Sequence, residues 1–194
     1  MNWAIPYIIN ESKILPIGFS SGLDVGCARG ILGSILKSER NPKRLVGIDA
    51  FDPYLDSAKR TGAYDSLLKL DIAKDPLPFS PKEFDVIFCL EVIEHLQWHQ
   101  ALILLADMEA IGKRVIITSP SGYFDQDEID GNPFQKHKCV MPPQFLKSRG
   151  YRIKGICSES FRLLGRSIGI NVMPPLLSQF VPSLSQQYIA WRGQ

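Results

Sequence analysis

The stretch Gly22-Leu23-Asp24-Val25-Gly26-Cys27-Ala28-Arg29-Gly30 decides how the chain is read. An apolar run over residues 22–26 ends on small residues and passes directly into a helix-forming run over 30–39. A strand end of this kind presents backbone N–H groups at a helix N-terminus, where an anionic or strongly polar ligand group can sit. Small residues at 26, 28 and 30 keep side chains away, so a ligand can approach the main chain closely. A second acid follows one strand–helix unit later, at the end of Leu45-Val46-Gly47-Ile48-Asp49. A main-chain cradle followed by an acid at the next strand end is how open α/β sheets hold nucleoside-containing cofactors.

The alternation continues outward from that unit. Asp52-Pro53 reads as an N-cap with proline at the first helical position, opening a second helix that Gly62 ends. A third strand is expected near 66–71. The apolar run 84–90 has the character of a strand buried on both faces. A helix over 98–111 follows, with Leu102, Leu105 and Met108 on one stripe. Residues 115–119 make a fifth strand stopped by Pro120, residues 151–157 a sixth and residues 187–191 a seventh. The chain is therefore α/β, with helices on both faces of a sheet. Residues 1–20 read as a short helix and linker, whose Trp3, Tyr7 and Ile8 pack on the core or cover the site. The polar loop over 120–141 is long enough to be functional or mobile. Met141-Pro142-Pro143 leads into a short helix ending at Gly150. Residues 167–191 carry no charge, but Pro174, Pro175 and Pro182 rule out a clean membrane-spanning helix there. Residues 160–186 read as an elaborated connection between the last two strands, either a substrate lip or a loop packed on the core.

Length and composition set bounds on this reading. The 194 residues fit one domain, residues 1–194, and the 45% hydrophobic and 22% charged content is that of a soluble globular protein. Cys27, Cys89, Cys139 and Cys157 are scattered without a CxxC, which argues against a zinc site or disulfide scaffold and suits a reducing, cytoplasmic setting. The start Met1-Asn2-Trp3-Ala4-Ile5-Pro6 lacks the cationic opening of a secretory signal. Residues 1–130 hold 19 acids and 13 bases, whereas residues 131–194 hold nine bases and one acid. One reading of the basic part is a solvated face. The other is contact with an anion: a phosphorylated substrate, nucleic acid or a lipid surface.

The dinucleotide fingerprint G-x-G-x-x-G fails here, because Ala28 and Ile31 stand where its second and third glycines belong. The pattern Asp24-x-Gly26-x-Ala28-x-Gly30 instead resembles motif I of class I S-adenosylmethionine-dependent methyltransferases, with alanine at 28 for the commoner glycine. Further landmarks follow in order: Asp49, Asp71-Ile72, the run 84–87 followed by Leu90-Glu91-Val92-Ile93-Glu94-His95-Leu96, and Val115-Ile116-Ile117-Thr118-Ser119-Pro120. The resemblance spans roughly residues 20–160 and is closest to the type-11/type-12 group. It implies a Rossmann-like seven-stranded sheet, order 3-2-1-4-5-7-6, with strand seven antiparallel. It also implies that Asp24, Gly26, Cys27, Ala28, Gly30, Asp49, Ala50, Asp71, Ile72, Leu90 and Glu91 hold S-adenosyl-L-methionine. Asp49 would then bond the ribose hydroxyls and Asp71 read the adenine amino group.

Methyl transfer to a hydroxyl needs positioning, and a base or metal to remove the proton. Glu91, Glu94 and His95 are spaced i, i+3, i+4, which on a helical turn gives one face. His137 closes Asp130-Gly131-Asn132-Pro133-Phe134-Gln135-Lys136-His137, in the loop that returns over the same sheet edge. This set resembles the metal-assisted members of the superfamily, which include ubiquinone-pathway O-methyltransferases and enzymes that methylate the terminal 2′-hydroxyl of small RNAs. By that resemblance Glu91, Glu94, His95 and His137 would ligate a divalent cation such as Mg2+. The other readings are His95 or His137 as a metal-free base beside Glu94, and a purely pocket-shaping role. For Trp98 and His99, core packing is the expectation. The activity implied is methyl transfer to a hydroxyl of a small or glycan-like acceptor, anionic if the basic part meets it. The alternatives are an RNA ribose 2′-O-methyltransferase and a non-catalytic binding subunit of the same fold. Contact of the uncharged C-terminal stretch with a membrane surface stays open, as does the oligomeric state.

Overall fold

In the computed structural model, which describes residues 4–123, 125–156 and 187–193, strands and helices alternate from residue 21 to residue 69, and the next strand, over 84–90, then follows without an intervening helix. The elements are α1 (Ala4–Asn10), β1 (Ser21–Val25), α2 (Ile31–Glu39), β2 (Arg44–Asp49), α3 (Asp52–Thr61) and β3 (Ser66–Lys69). After them come β4 (Phe84–Leu90), α4 (Trp98–Ile111), β5 (Gly112–Pro120), α5 (Pro143–Ser148), β6 (Arg152–Ile156) and β7 (Gln187–Arg192). One sheet holds all seven strands in the order β3-β2-β1-β4-β5-β7-β6. Strands β1 to β5 pair in parallel, and β7 runs antiparallel to both β5 and β6. This is the Rossmann-like single-domain sheet that the order of motifs implies.

The central strands are apolar on both faces because each face carries its own core. Phe84, Ile87 and Cys89 of β4 point into a core beneath α4 and α5, while Val86 and Phe88 point into a second core beneath α1 and α2. Full burial of a side chain such as Phe84 or Ile87 is worth about 2–3 kcal/mol over exposure. Helix α1 packs through Ala4, Ile5, Ile8 and Ile9 on the second core.

Several boundaries differ from expectation. Asp52 is the first residue of α3 and makes no capping bond; Phe51 is the N-cap, its extended backbone set by an N–H donated to Asp49 Oδ1. Asp52 still lies in the first turn, where a negative charge suits the helix dipole, and it pairs with Lys69 at 2.5 Å. Strand β3 stops at Lys69, two residues short of Asp71, because the chain turns there through Lys74 N–H donated to the Asp71 carbonyl. Strand β5 begins at Gly112, directly at the end of α4, where Lys82 Nζ takes the Glu109 and Gly112 carbonyls. The connection over 160–186, most of the uncharged stretch and Cys157 lie outside the described residues. Among the described residues, no helix is long and apolar enough to cross a membrane.

Candidate active site

The turn after β1 is built to clamp two strands. Gly26 has φ 73°, and a Cβ there would lie 2.4 Å from Val92 Cγ2, so glycine is required on both counts. The Gly26 and Cys27 N–H groups donate to the Ile48 carbonyl, Ala28 N–H to Asp49 Oδ2, and Gly30 N–H to the Cys27 carbonyl. The expectation of a row of N–H groups offered to an anion is therefore corrected. Those four donors are taken up within the chain, three of them fastening the turn to the end of β2 and the fourth closing the turn on itself. Such a turn suits a donor without a pyrophosphate. Ala28 sits at φ 46°, the left-handed region, so its fit is a strained one costing about 1–2 kcal/mol. Gly30 caps α2 at φ 81° against Ala58 and is not part of the cavity wall.

Asp24 is buried, and the Tyr64 hydroxyl donates to its Oδ2 at 2.6 Å. Burial raises its pKa to about 7, with Tyr64 pulling it down and Asp49 pushing it further up. Asp49 accepts the Ala28 and Phe51 N–H groups on its two oxygens, each at 2.9 Å. Burial raises its pKa too, and the N–H groups of Phe51, Ala28 and Ala50 offset that. Asp71 accepts the Ala73 N–H and pairs with Lys74 at 2.8 Å. Burial, reinforced by Asp24 and Asp49, pushes the Cys27 thiol far up, so it is inert at neutral pH.

These residues wall one cavity of about 920 Å3. Asp24, Gly26, Cys27, Ala28, Asp49, Ala50, Asp71, Ile72, Leu90, Glu91 and His95 all line it. An arm of the same cavity runs between α1 and α2, past Ile5, Pro6, Ile9, Ile31 and Ile35. Ile31 is 64% exposed, so the apolar wall of this arm reaches the surface, where Asn10 and Glu39 at the ends of the two helices add polar groups. Phe134, Gln135 and Lys138 of the loop after β5 close the other side.

Beyond β4 the expected shared helical face is replaced by a sharper turn. Glu91 has φ 56°, and only residues Ile93–His95 wind, as a 3-10 turn. The reason is the strand end: Glu91 N–H is held by the Thr118 carbonyl and hydroxyl on β5, and Gln187 Nε2 donates to Glu91 Oε2 at 2.8 Å. Glu94, His95 and His137 come together, with one ligand atom from each within 4.8 Å of the others. Glu91 is not in that group. Glu94 is buried, and neither of its carboxylate oxygens has a hydrogen-bond partner. Burial pushes its pKa well up and Glu91 adds to that, while its own backbone and the nearby Ser119 offset a part. The His95 and His137 rings lie 4.9 Å apart. Burial lowers His95 to about 4, against the Lys136 carbonyl at 3.3 Å, so its ring is neutral at pH 7. Of the three, only His95 reaches the cavity wall. His99 has no place in this group, and the expectation of core packing for Trp98 and His99 is corrected: both are exposed at the start of α4, where Trp98 lies edge-on to Phe145 with ring centroids 5.2 Å apart.

Reading the sequence alone missed Tyr64 and Val92; the expected N-terminal cover is present, but Ile5, Pro6 and Ile9 line the cavity while Ile8 packs in the core. The trace of Tyr64 was there in two glycines: a Cβ on Gly33 would lie 2.2 Å from its ring, and one on Gly47 3.0 Å.

The sheet order and the acids at its strand ends define a methyltransferase-type α/β protein. The model of the methyltransferase domain family matches residues 23–113, which run from β1 into β5. A ubiquinone biosynthesis O-methyltransferase of Neisseria meningitidis serogroup A is 27% identical over 128 residues, 64% of this chain and 50% of that one. The chain thus spans about half the length of the curated relatives it matches. Among solved structures, a SAM dependent methyltransferase from Archaeoglobus fulgidus superposes with a TM-score of 0.61 at 17% identity, covering 96% of this chain and 93% of that one. The small RNA methyltransferase HEN1 superposes with a TM-score of 0.66 at 16% identity, covering 96% of this chain and 24% of that one. Residues 23–113 are thus similar to a methyltransferase domain, and the fold is the one these S-adenosylmethionine-dependent methyltransferases have.

Proposed function

We propose that this chain transfers a methyl group from S-adenosyl-L-methionine to a hydroxyl of a small acceptor with an apolar body, assisted by a divalent cation. The observation that carries it is the Glu94 carboxylate, buried without a partner beside two imidazoles. A buried acid in that state is costly on its own and is relieved by a cation. Glu94, His95 and His137 would hold the ion, and Glu91 stands next to them, restrained by Gln187. When bound, the ion supplies a Lewis acid that lowers the pKa of the acceptor hydroxyl. For His95 the metal-free alternative is weaker, because an imidazole with a pKa of about 4 is a poor base at neutral pH.

The donor supplies an electrophilic methyl on its sulfonium. Asp49, held by main-chain N–H groups, offers its remaining lone pairs to ribose hydroxyls, and Asp71 with Ile72 meets the base. Gly26 and Ala28 let the donor lie against the main chain, and Asp24 faces its amino-acid end. The apolar arm between α1 and α2 favours an acceptor with a hydrocarbon or aromatic body over a glycan. Lys138 on the opposite wall would pair with an anionic group on it. Enclosure by Phe134 and Gln135 excludes water from the transfer.

Thermal-shift titration with S-adenosylhomocysteine and with NAD tests the donor; stabilisation by NAD alone would sink the reading. A labelled methyl-donor assay on cell extract should place the product in the organic-soluble fraction. EDTA should suppress that activity, Mg2+ or Mn2+ should restore it, and Glu94→Gln should not respond to either. Activity untouched by EDTA and by Glu94→Gln removes the metal.

A further inference from the structure

The loop after β5 reaches across the cavity and is tied down at both ends. At its far end, the Lys138 and Cys139 N–H groups donate to the Glu94 carbonyl at 2.8 and 3.1 Å. Its near end stands on Asp130, whose Oδ2 accepts from Arg29 at 2.5 Å and from the Tyr54 hydroxyl at 3.1 Å. The Arg29 guanidinium also lies over the Tyr54 ring, 5.1 Å from its centroid. Arg29 belongs to the donor turn and Tyr54 to α3, and both line the donor cavity. The segment between the two ends is stiff. Asp130 and Gly131 take φ 57° and 68°, Ile129 and Asn132 form a bridge, and the side chain of Asn132, 1% exposed, accepts the Phe134 N–H. Gln126 Nε2 donates to the Gln135 carbonyl, and the His137 N–H donates to the Gln126 carbonyl. These bonds connect Asp130 to His137, seven residues on.

The geometry points to Asp130 as a positioning residue that couples occupation of the donor cavity to the placement of His137 beside Glu94 and His95. This rests on the function proposed above. The Arg29–Asp130 pair is about half exposed on both sides, 53% and 49%, so alone it is a weak tie that opens and closes readily. A ligand in the cavity touches Arg29 and Tyr54 on one wall and Phe134 and Gln135 on the other. It therefore favours the closed arrangement, in which His137 completes the three-residue group. Donor and cation should bind with reciprocal cooperativity, each tightening the other by the same factor.

The test uses S-adenosylhomocysteine and Mn2+ as probes on the full chain, with free Mn2+ followed by electron paramagnetic resonance. In the wild type, saturating S-adenosylhomocysteine should tighten Mn2+ by at least about fivefold, and Mn2+ should tighten S-adenosylhomocysteine equally. Asp130→Asn and Asp130→Gly both tolerate the left-handed backbone, and each should reduce that factor to below about twofold while leaving Mn2+ affinity of the ligand-free protein unchanged. Arg29→Gln should also lower the coupling factor, and Arg29→Gln with Asp130→Asn should lower it no further than either alone. The same coupling factor in Asp130→Asn as in the wild type overturns the proposal, and so does independent binding in the wild type. Failure of S-adenosylhomocysteine to bind the wild type at all would instead strike at the function itself.

Discussion

Burial raises the Asp24 carboxyl to about 7, so the ligand-free native state binds a proton there that the unfolded chain releases near pH 4. The sign follows: this contribution is full below about pH 4 and is lost as pH rises toward about 7, because charging the acid in place is costly. Asp24→Asn cannot ionise. Its stability relative to the wild type should therefore climb between about pH 4 and 7 and level off above, each pKa unit being worth about 1.4 kcal/mol. Urea melts across that range check it, and a difference that does not vary with pH would refute the assignment. Tyr64→Phe acts on the same acid, removing the hydroxyl that donates to Asp24 and accepts the Gly33 N–H. It should cost about 1–3 kcal/mol and move the Asp24 titration higher, which carboxyl NMR would follow. Asp24 and Asp49 were legible in the sequence because each lies in or ends an apolar run, a local signal. Tyr64 was not, since its partners lie 40 and 31 residues away and only Gly33 and Gly47 hint at the space it fills.

Helix α4 shows what an element contributes to the cavity. Gln97 and Gln100 form a reciprocal capping box, and Gln100 Nε2 also donates to the Ala73 carbonyl at 2.9 Å. One side chain thus caps the start of the helix and pins the turn that carries Asp71, Ile72 and Ala73 into the cavity wall. Gln100→Ala should lower stability by about 1 kcal/mol, read as a lower urea midpoint at unchanged slope. It should also weaken S-adenosylhomocysteine binding in calorimetry; full affinity would show that the turn holds itself. Elements with a strong period were read to the residue: β2, β4 and α4 begin and end where their patterns do. The turn after β4 was not. Its course depends on Thr118 and Gln187 from strands far along the chain, and these put Glu91 at positive φ instead of on a helical face with Glu94 and His95.

Across the whole molecule, the sheet order agrees with what the family resemblance implied, but the meaning of the charge asymmetry was not legible. Sequence counts place nine bases against one acid in residues 131–194. Folding brings several of them onto acids or rings of the earlier part. Arg149 and Arg192 share Glu109 at 2.7 and 3.1 Å, Lys136 faces Asp127 at 3.6 Å, and Lys154 stands over the Tyr7 ring. Lys138 belongs to the cavity wall. A base already paired within the chain releases no counterion when RNA arrives, so the asymmetry overstates the charge on offer to a polyanion. Each phosphate neutralised on a single strand steepens the slope of log affinity against log salt by about 0.7. Binding of a single-stranded RNA, followed by fluorescence anisotropy between about 50 and 300 mM salt, should therefore be weak, with a slope shallower than about 2. A slope of about 5 or steeper would mean some seven phosphates neutralised together. That would need a continuous basic face, and would move the acceptor from a small apolar molecule to an RNA ribose.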